Sequence, residues 1–166
     1  MNDLARRLLA EFLGTAFLLV GVVGSGIMAE RLADDVGLQL LANAAASVGV
    51  LYAVILMFGE VSGAHFNPAV TLAGILLQNR PWVELGPYVV AQLAGGAVGV
   101  VAANLMFGLD PINISEKVRD GGGQYLGELI ATFGLVVLIF SLVRTGRSHL
   151  VASAVAAYIG GAYWFT

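Results

Sequence analysis

Asn67, Pro68 and Ala69 form the segment of this 166-residue chain whose residue types carry the clearest chemical purpose. Asparagine suits the N-cap of a helix, where its side-chain oxygen accepts from backbone N–H groups that the first turn leaves unpaired. Proline suits the first helical position, because its missing N–H is not needed there and its φ is already helical. Asn-Pro alone occurs widely, so the setting carries the argument. The run Ser62-Gly63-Ala64-His65-Phe66-Asn67-Pro68-Ala69-Val70-Thr71 lies between two long apolar stretches and opens an apolar piece of only ten residues, 68–77. Two carboxylates stand in related places. Glu11 and Thr15 recur as Glu128 and Thr132, 117 residues later, each pair at the start of an apolar run. A glutamate inside a membrane helix is costly unless it is paired. Each could reach the headgroups from an interface, or lie buried and accept hydrogen bonds from a re-entrant loop. Their equivalent placement favours the buried reading.

Other chemistries find little support. The chain has no cysteine, so it has no thiolate nucleophile, thiolate metal site or disulfide framework. His65 has no second His, Asp or Glu at ligand spacing, so no metal is expected, and no cofactor motif appears. Ser47, Ser141 and Ser153 have no histidine nearby on the same helix, which argues against a hydrolase and against an enzyme generally. A net charge of -3 argues against nucleic-acid binding.

These residues must be positioned by elements that cross a bilayer. The chain is 58% hydrophobic and 11% charged, with mean hydropathy +0.87, against about 25% charged for a soluble domain. A helix needs about 20 apolar residues to cross. Five stretches approach or meet that length, at about 8–28, 38–58, 82–107, 125–143 and 150–165. The Arg6-Arg7 pair before the first resembles the start of a signal peptide, but the run continues to Met28 and carries Glu11, so it reads as a spanning helix. The 68–77 piece would be about 15 Å long, half a bilayer, which suits a buried or re-entrant half-helix. With the N-terminus in the cytoplasm, Arg6, Arg7, Arg80, Arg144 and Arg147 lie inside with His149, and Arg31, Lys117 and Arg119 lie outside. The bias favours that orientation. The Glu128 helix is the third span after the Glu11 helix, an odd offset, so the two copies cross in opposite senses, as in an inverted repeat. The first repeat covers about 1–107 and the second begins near 122, within one channel domain of residues 1–166. The fold class expected is an all-α membrane protein.

The segment 63–71, Gly-Ala-His-Phe-Asn-Pro-Ala-Val-Thr, resembles the first signature of the aquaporin and glycerol-facilitator family, the major intrinsic proteins. Ala10-Glu11-Phe12-Leu13-Gly14-Thr15 resembles that family's first helix, and Tyr88-Val89-Val90-Ala91-Gln92-Leu93 its third. The Glu128 helix and residues 158–165 fit its fourth and fifth, so the resemblance covers essentially the whole chain. It implies six spans and two half-helices that meet at the midplane, each opening with Asn-Pro-Ala. It implies a passive channel for water or small neutral solutes, excluding protons and ions, in a homotetramer whose protomers each hold a pore.

The residues fit that role. A helix N-terminus carries roughly half a positive charge and opposes cations at the midplane. The Asn67 amide can donate to a solute oxygen, and an oxygen so held interrupts a proton wire. The carbonyls of Gly63, Ala64 and His65 can serve as acceptors. Family spacing puts a second asparagine about seven residues beyond Thr166, followed by an arginine, so the sequence reads as a fragment of a protein of about 230 residues. The same spacing puts two filter positions at Ser47 and Gly161. Their small side chains imply a mouth wide enough for glycerol, urea or an undissociated metalloid acid. The orientation fits a bacterial inner membrane.

Overall fold

The computed structural model describes residues 3–78, 80–115, 118 and 120–166. Its helices are α1 (Asp3–Leu32), α2 (Val36–Ser62), α3 (Pro68–Gln78), α4 (Leu85–Met106), α5 (Gly122–Arg144) and α6 (Val151–Ala162). Single 3₁₀ turns, Trp82–Glu84 and Ser148–Leu150, lead into α4 and α6. Helices dominate because apolar surroundings offer no water to the backbone, and a helix satisfies its own N–H and C=O groups.

The helix ends follow from local chemistry. Asp35 caps α2 by accepting from the Leu38 amide at 2.8 Å. Gly63 ends α2 in the left-handed region, φ 92°, and its N–H returns to the Gly59 carbonyl. Asn67 caps α3: its Oδ1 accepts from the amides of Ala69 at 2.7 Å and Val70 at 3.4 Å.

Among the described residues, four helices, counting the turn before α4 with it, are long and apolar enough to cross a membrane, while α3 and the segment Ser148–Ala162 are shorter apolar helices. The fifth apolar run is thus less extended as a helix than its hydropathy suggests. Regular α-helix stops at Ala162, and Trp164 and Phe165 bond back only three residues, to Gly161 and Ala162. Such i→i+3 bonds tighten a last turn.

The spans pack at close range through small residues, as helices do where no hydrophobic force drives them together. α1 packs along α4 and α2, α6 lies against α2 and α5, and α3 sits against α4. A Cβ at Gly95 would strike the Phe12 carbonyl, and one at Gly99 the Ala16 carbonyl. That glycine pair therefore serves a contact within the chain. α1 and α2 are also tied by polar groups, since Asn43 Nδ2 donates to the Val22 carbonyl at 2.7 Å and to Ser25 Oγ at 2.9 Å. Tyr158 Oη on α6 donates to the Ala131 carbonyl on α5 at 3.0 Å. The core gathers Leu51, Val54, Phe66, Val70, Leu135 and Val155. Phe66 is the side chain that draws the re-entrant loop into it.

Candidate pore site

The loop ahead of α3 is held by one carboxylate. Glu11 is fully buried in α1. Its Oε1 accepts from Ser62 Oγ at 2.6 Å and from the His65 amide at 3.0 Å. Its Oε2 accepts from the Phe66 amide at 2.8 Å and from Gln92 Nε2 at 2.9 Å. Bonds to an ionised acceptor are among the stronger hydrogen bonds. They hold a backbone that would otherwise resist this shape: Ala64 and Phe66 lie at φ 49° and 48°, a region costing about 1–3 kcal/mol for a residue with a side chain. Gly14 leaves room for the Phe66 ring, which a Cβ there would strike.

The amides of this loop are engaged with the protein. Gly63 bonds to Gly59, Ala64 to Ser62 Oγ, and His65 and Phe66 to Glu11. Among the described residues no donor reaches the carbonyls of Gly63, Ala64 or His65. These residues line the main cavity. Asn67 is the complement. Its Oδ1 is committed to the cap of α3, which leaves Nδ2 as a donor on a residue that also lines the cavity.

His65 is fixed from both ring nitrogens. Arg80 Nη1 lies 3.1 Å from its Nε2, and Thr71 Oγ1 lies 3.1 Å from its Nδ1. A guanidinium only donates, so Nε2 accepts and the ring proton sits on Nδ1, donating to Thr71. Thr71 then donates to the Asn67 carbonyl at 3.1 Å and also accepts from Gln92 Nε2 at 2.9 Å. Burial pushes the His65 imidazole, which lies outside the spanning helices, down to about 4, keeping it neutral near pH 7.

Arg80 is anchored in turn. Its Nη2 donates to Glu84 Oε2 at 3.0 Å and to Tyr88 Oη at 3.1 Å. Glu84 accepts both amino groups of Arg7, at 2.6 and 3.1 Å. Tyr88 donates to the Ser62 carbonyl at 3.0 Å. A single polar network therefore joins α1, the loop, the link after α3 and α4.

The cavity has a volume of about 590 Å³. Glu60, Gln78, Arg80, Ser148 and His149 line its polar end. Apolar side chains including Ile55, Val70, Leu135 and Ile139 form its wall. Ser47 and Tyr163 belong to its other end, and their hydroxyls are 2.8 Å apart.

Two residues singled out from the sequence stand apart. Gly161 is exposed and does not line this cavity. Val151, Val155, Ile159 and Tyr163 do line it; they recur every four residues on one helix face, and Gly161 falls on the opposite one. Glu128 is exposed beside a pocket of about 90 Å³ shared with Gln124, Tyr125 and Thr166, whereas Glu11 meets a complete loop. Sequence reasoning missed the bracing roles of Ser62, Thr71, Arg80 and Glu84. Tyr88 and Gln92 entered it only as part of a resembling helix, although their spacing of four already placed them on one face.

A half-helix that opens on a capped asparagine, beneath a loop held by a buried glutamate, matches a known pattern. The Major intrinsic protein family matches residues 1–165. The chain belongs to that family. Among the major intrinsic proteins it is similar to aquaglyceroporin AqpS of Rhizobium meliloti (strain 1021), 46% identical over 164 residues that cover 99% of this chain and 70% of AqpS. It is 36% identical to aquaporin NIP6-1 of Arabidopsis thaliana over 95% of this chain and 52% of that protein. It is 30% identical to the glycerol uptake facilitator protein of Streptococcus pneumoniae (strain ATCC BAA-255 / R6), covering 82% of this chain and 64% of that one. The chain thus spans about half to two thirds of the length of those last two. Its class is that of a membrane-embedded passive channel for water and small neutral solutes, not of an enzyme.

Proposed function

We propose that the whole protein conducts neutral solutes larger than water, such as glycerol, urea or an undissociated metalloid acid. The observation that carries this reading is the small side chain of Ser47 at one end of a continuous cavity. A narrow ring of bulky groups would admit water alone, because a pore passes what its diameter and lining allow. The glycerol uptake facilitator and the aquaglyceroporin named above carry names consistent with such solutes.

The mechanism follows from the site. A solute leaves water only where hydrogen bonds replace its hydration. The carbonyls of Gly63, Ala64 and His65 accept and the Asn67 amide donates, so a neutral hydroxylated molecule finds both kinds of partner. At the level of Asn67 a cation meets the positive end of α3 while Glu11 is spent on the loop; the Glu60 carboxylate lines the cavity at its polar end beside Arg80. Glu128 would hold the equivalent loop of the second repeat, with residues 1–107 and those from 122 onward forming the two halves of one channel domain. The end bearing Arg7, Arg80, Arg144 and Arg147 faces the cytoplasm, in a bacterial inner membrane, and four protomers assemble with one pore each.

Stopped-flow light scattering on proteoliposomes containing the full-length protein tests the selectivity. Glycerol, urea and arsenous acid should enter far faster than into empty vesicles. Water passage with none of these three would sink the reading.

A further inference from the structure

We propose that Tyr163 is a specificity-determining residue of this channel, its phenol and the Ser47 hydroxyl forming a paired gate of two hydroxyls that selects neutral polyhydroxylated solutes. The inference rests on the neutral-solute reading above and adds the group that sorts among those solutes.

The geometry starts from α6. Ile159 and Tyr163 are four residues apart and both line the cavity, so the helix face that meets the solute path carries a phenol at its last turn. Its hydroxyl reaches across to α2, 2.8 Å from Ser47 Oγ. Ser47 is buried. It lies fifteen residues before Ser62, about 22 Å along α2 from where the re-entrant loop begins. Ser47 is also four residues, about one helical turn, before Leu51, which packs with Phe66 and Val70 on either side of Asn67. The pair therefore lies on the same cavity as the Asn67 amide and away from Arg80 and His149. Apolar side chains, Leu18 and Leu51 among them, line the cavity as well.

The chemistry follows from what two hydroxyls can offer. Each has one donor and two acceptor sites. One bond between them uses one donor and one acceptor, which leaves one donor and three acceptor sites. A solute bearing several hydroxyls can donate to and accept from such a pair while its carbon side rests on apolar wall. Water gains less, having no apolar side to bury. An ion gains no opposite charge. The phenol also narrows a mouth that Ser47 alone would leave open, which sets an upper size limit.

Tyr163→Phe keeps the ring and removes the hydroxyl; Tyr163→Ala removes both. The full-length protein and each variant would be reconstituted in proteoliposomes, with monodisperse elution as the folding check, and the fluxes of water, glycerol and the four-carbon polyol erythritol compared. Tyr163→Phe should lower the glycerol-to-water flux ratio about three- to tenfold, the effect of losing one hydrogen bond. Tyr163→Ala should raise the erythritol-to-glycerol ratio by at least a similar factor. If folded variants of both kinds keep the wild-type ratios, Tyr163 only ties α6 to α2 and the inference is overturned. A wild-type protein that passes water alone overturns the broader reading instead, and this one with it.

Discussion

Glu11 shows how much one buried side chain can decide. It meets four donors from the end of α2, the loop and α4, and no neutral group of its size can accept all four. Glu11→Gln leaves one oxygen and adds an NH₂ that points donors at donors. Loss of charged hydrogen bonds costs about 1.5–3 kcal/mol each before relaxation, so thermal unfolding in detergent should shift down by an amount worth at least ~2 kcal/mol. Solute flux should fall at the same time, since the carbonyls of 63–65 lose their support. An unchanged melting point with full flux would show that the loop holds itself.

His65 gives the residue scale a pH dependence. Its folded value of about 4 lies below the ordinary 6.5, so the unfolded chain binds more protons between those values. Stability therefore rises with pH through that window and falls as the solution is acidified from 6.5 toward 4. The main reason is burial of the ring; in addition, a proton on Nε2 would face Arg80 Nη1, which can only donate. Melting temperature measured from pH 7 to pH 4 should drop in the wild type. The drop should be smaller in His65→Gln, and an equal drop in both would assign the effect to other groups.

At the scale of elements, the contact between α1 and α4 is set by glycine. Gly95 and Gly99 face backbone carbonyls of α1, and a side chain at either must push the helices apart. Overpacking of this kind costs about 1–3 kcal/mol. Here it would also move Gln92 and Tyr88, which lie on the same helix and brace the loop. Gly95→Leu should lower both the melting temperature and solute flux, whereas Gly86→Leu, at an open position of the same helix, should change neither by much. The re-entrant element was legible in advance, because ten apolar residues behind an Asn-Pro cannot cross a bilayer. That α6 would present Tyr163 rather than Gly161 to the cavity was not legible. Helix phase depends on how α6 rolls against α2 and α5, and apolar residues lie on every face of a helix this hydrophobic.

The whole molecule raises orientation and assembly. The chain lacks cysteine, so single substitutions report sidedness cleanly. Arg147→Cys should react with a membrane-impermeant maleimide in inverted inner-membrane vesicles, and Asp34→Cys only in right-side-out ones. The reverse pattern would turn the molecule over. Exposed apolar side chains such as Leu93, Phe133 and Val90 cover the outer surface, and in a bilayer they face lipid or another protomer. Native mass spectrometry of the full-length protein should find four copies.

By itself the sequence determined the membrane location, the number and approximate ends of the apolar runs, the half-helix, and the residues Glu11, His65 and Asn67 as a related set. Hydropathy and capping depend on residue type and short spacing, so a linear reading reaches them. Only the tertiary structure decided that Glu11 takes its partners from the end of α2, the loop and α4 together, that Arg80 assigns the His65 tautomer, and that Glu128 stays exposed where Glu11 is enclosed. Those outcomes depend on which groups from distant segments come within 3 Å, and that distance is fixed by helix packing rather than by order along the chain.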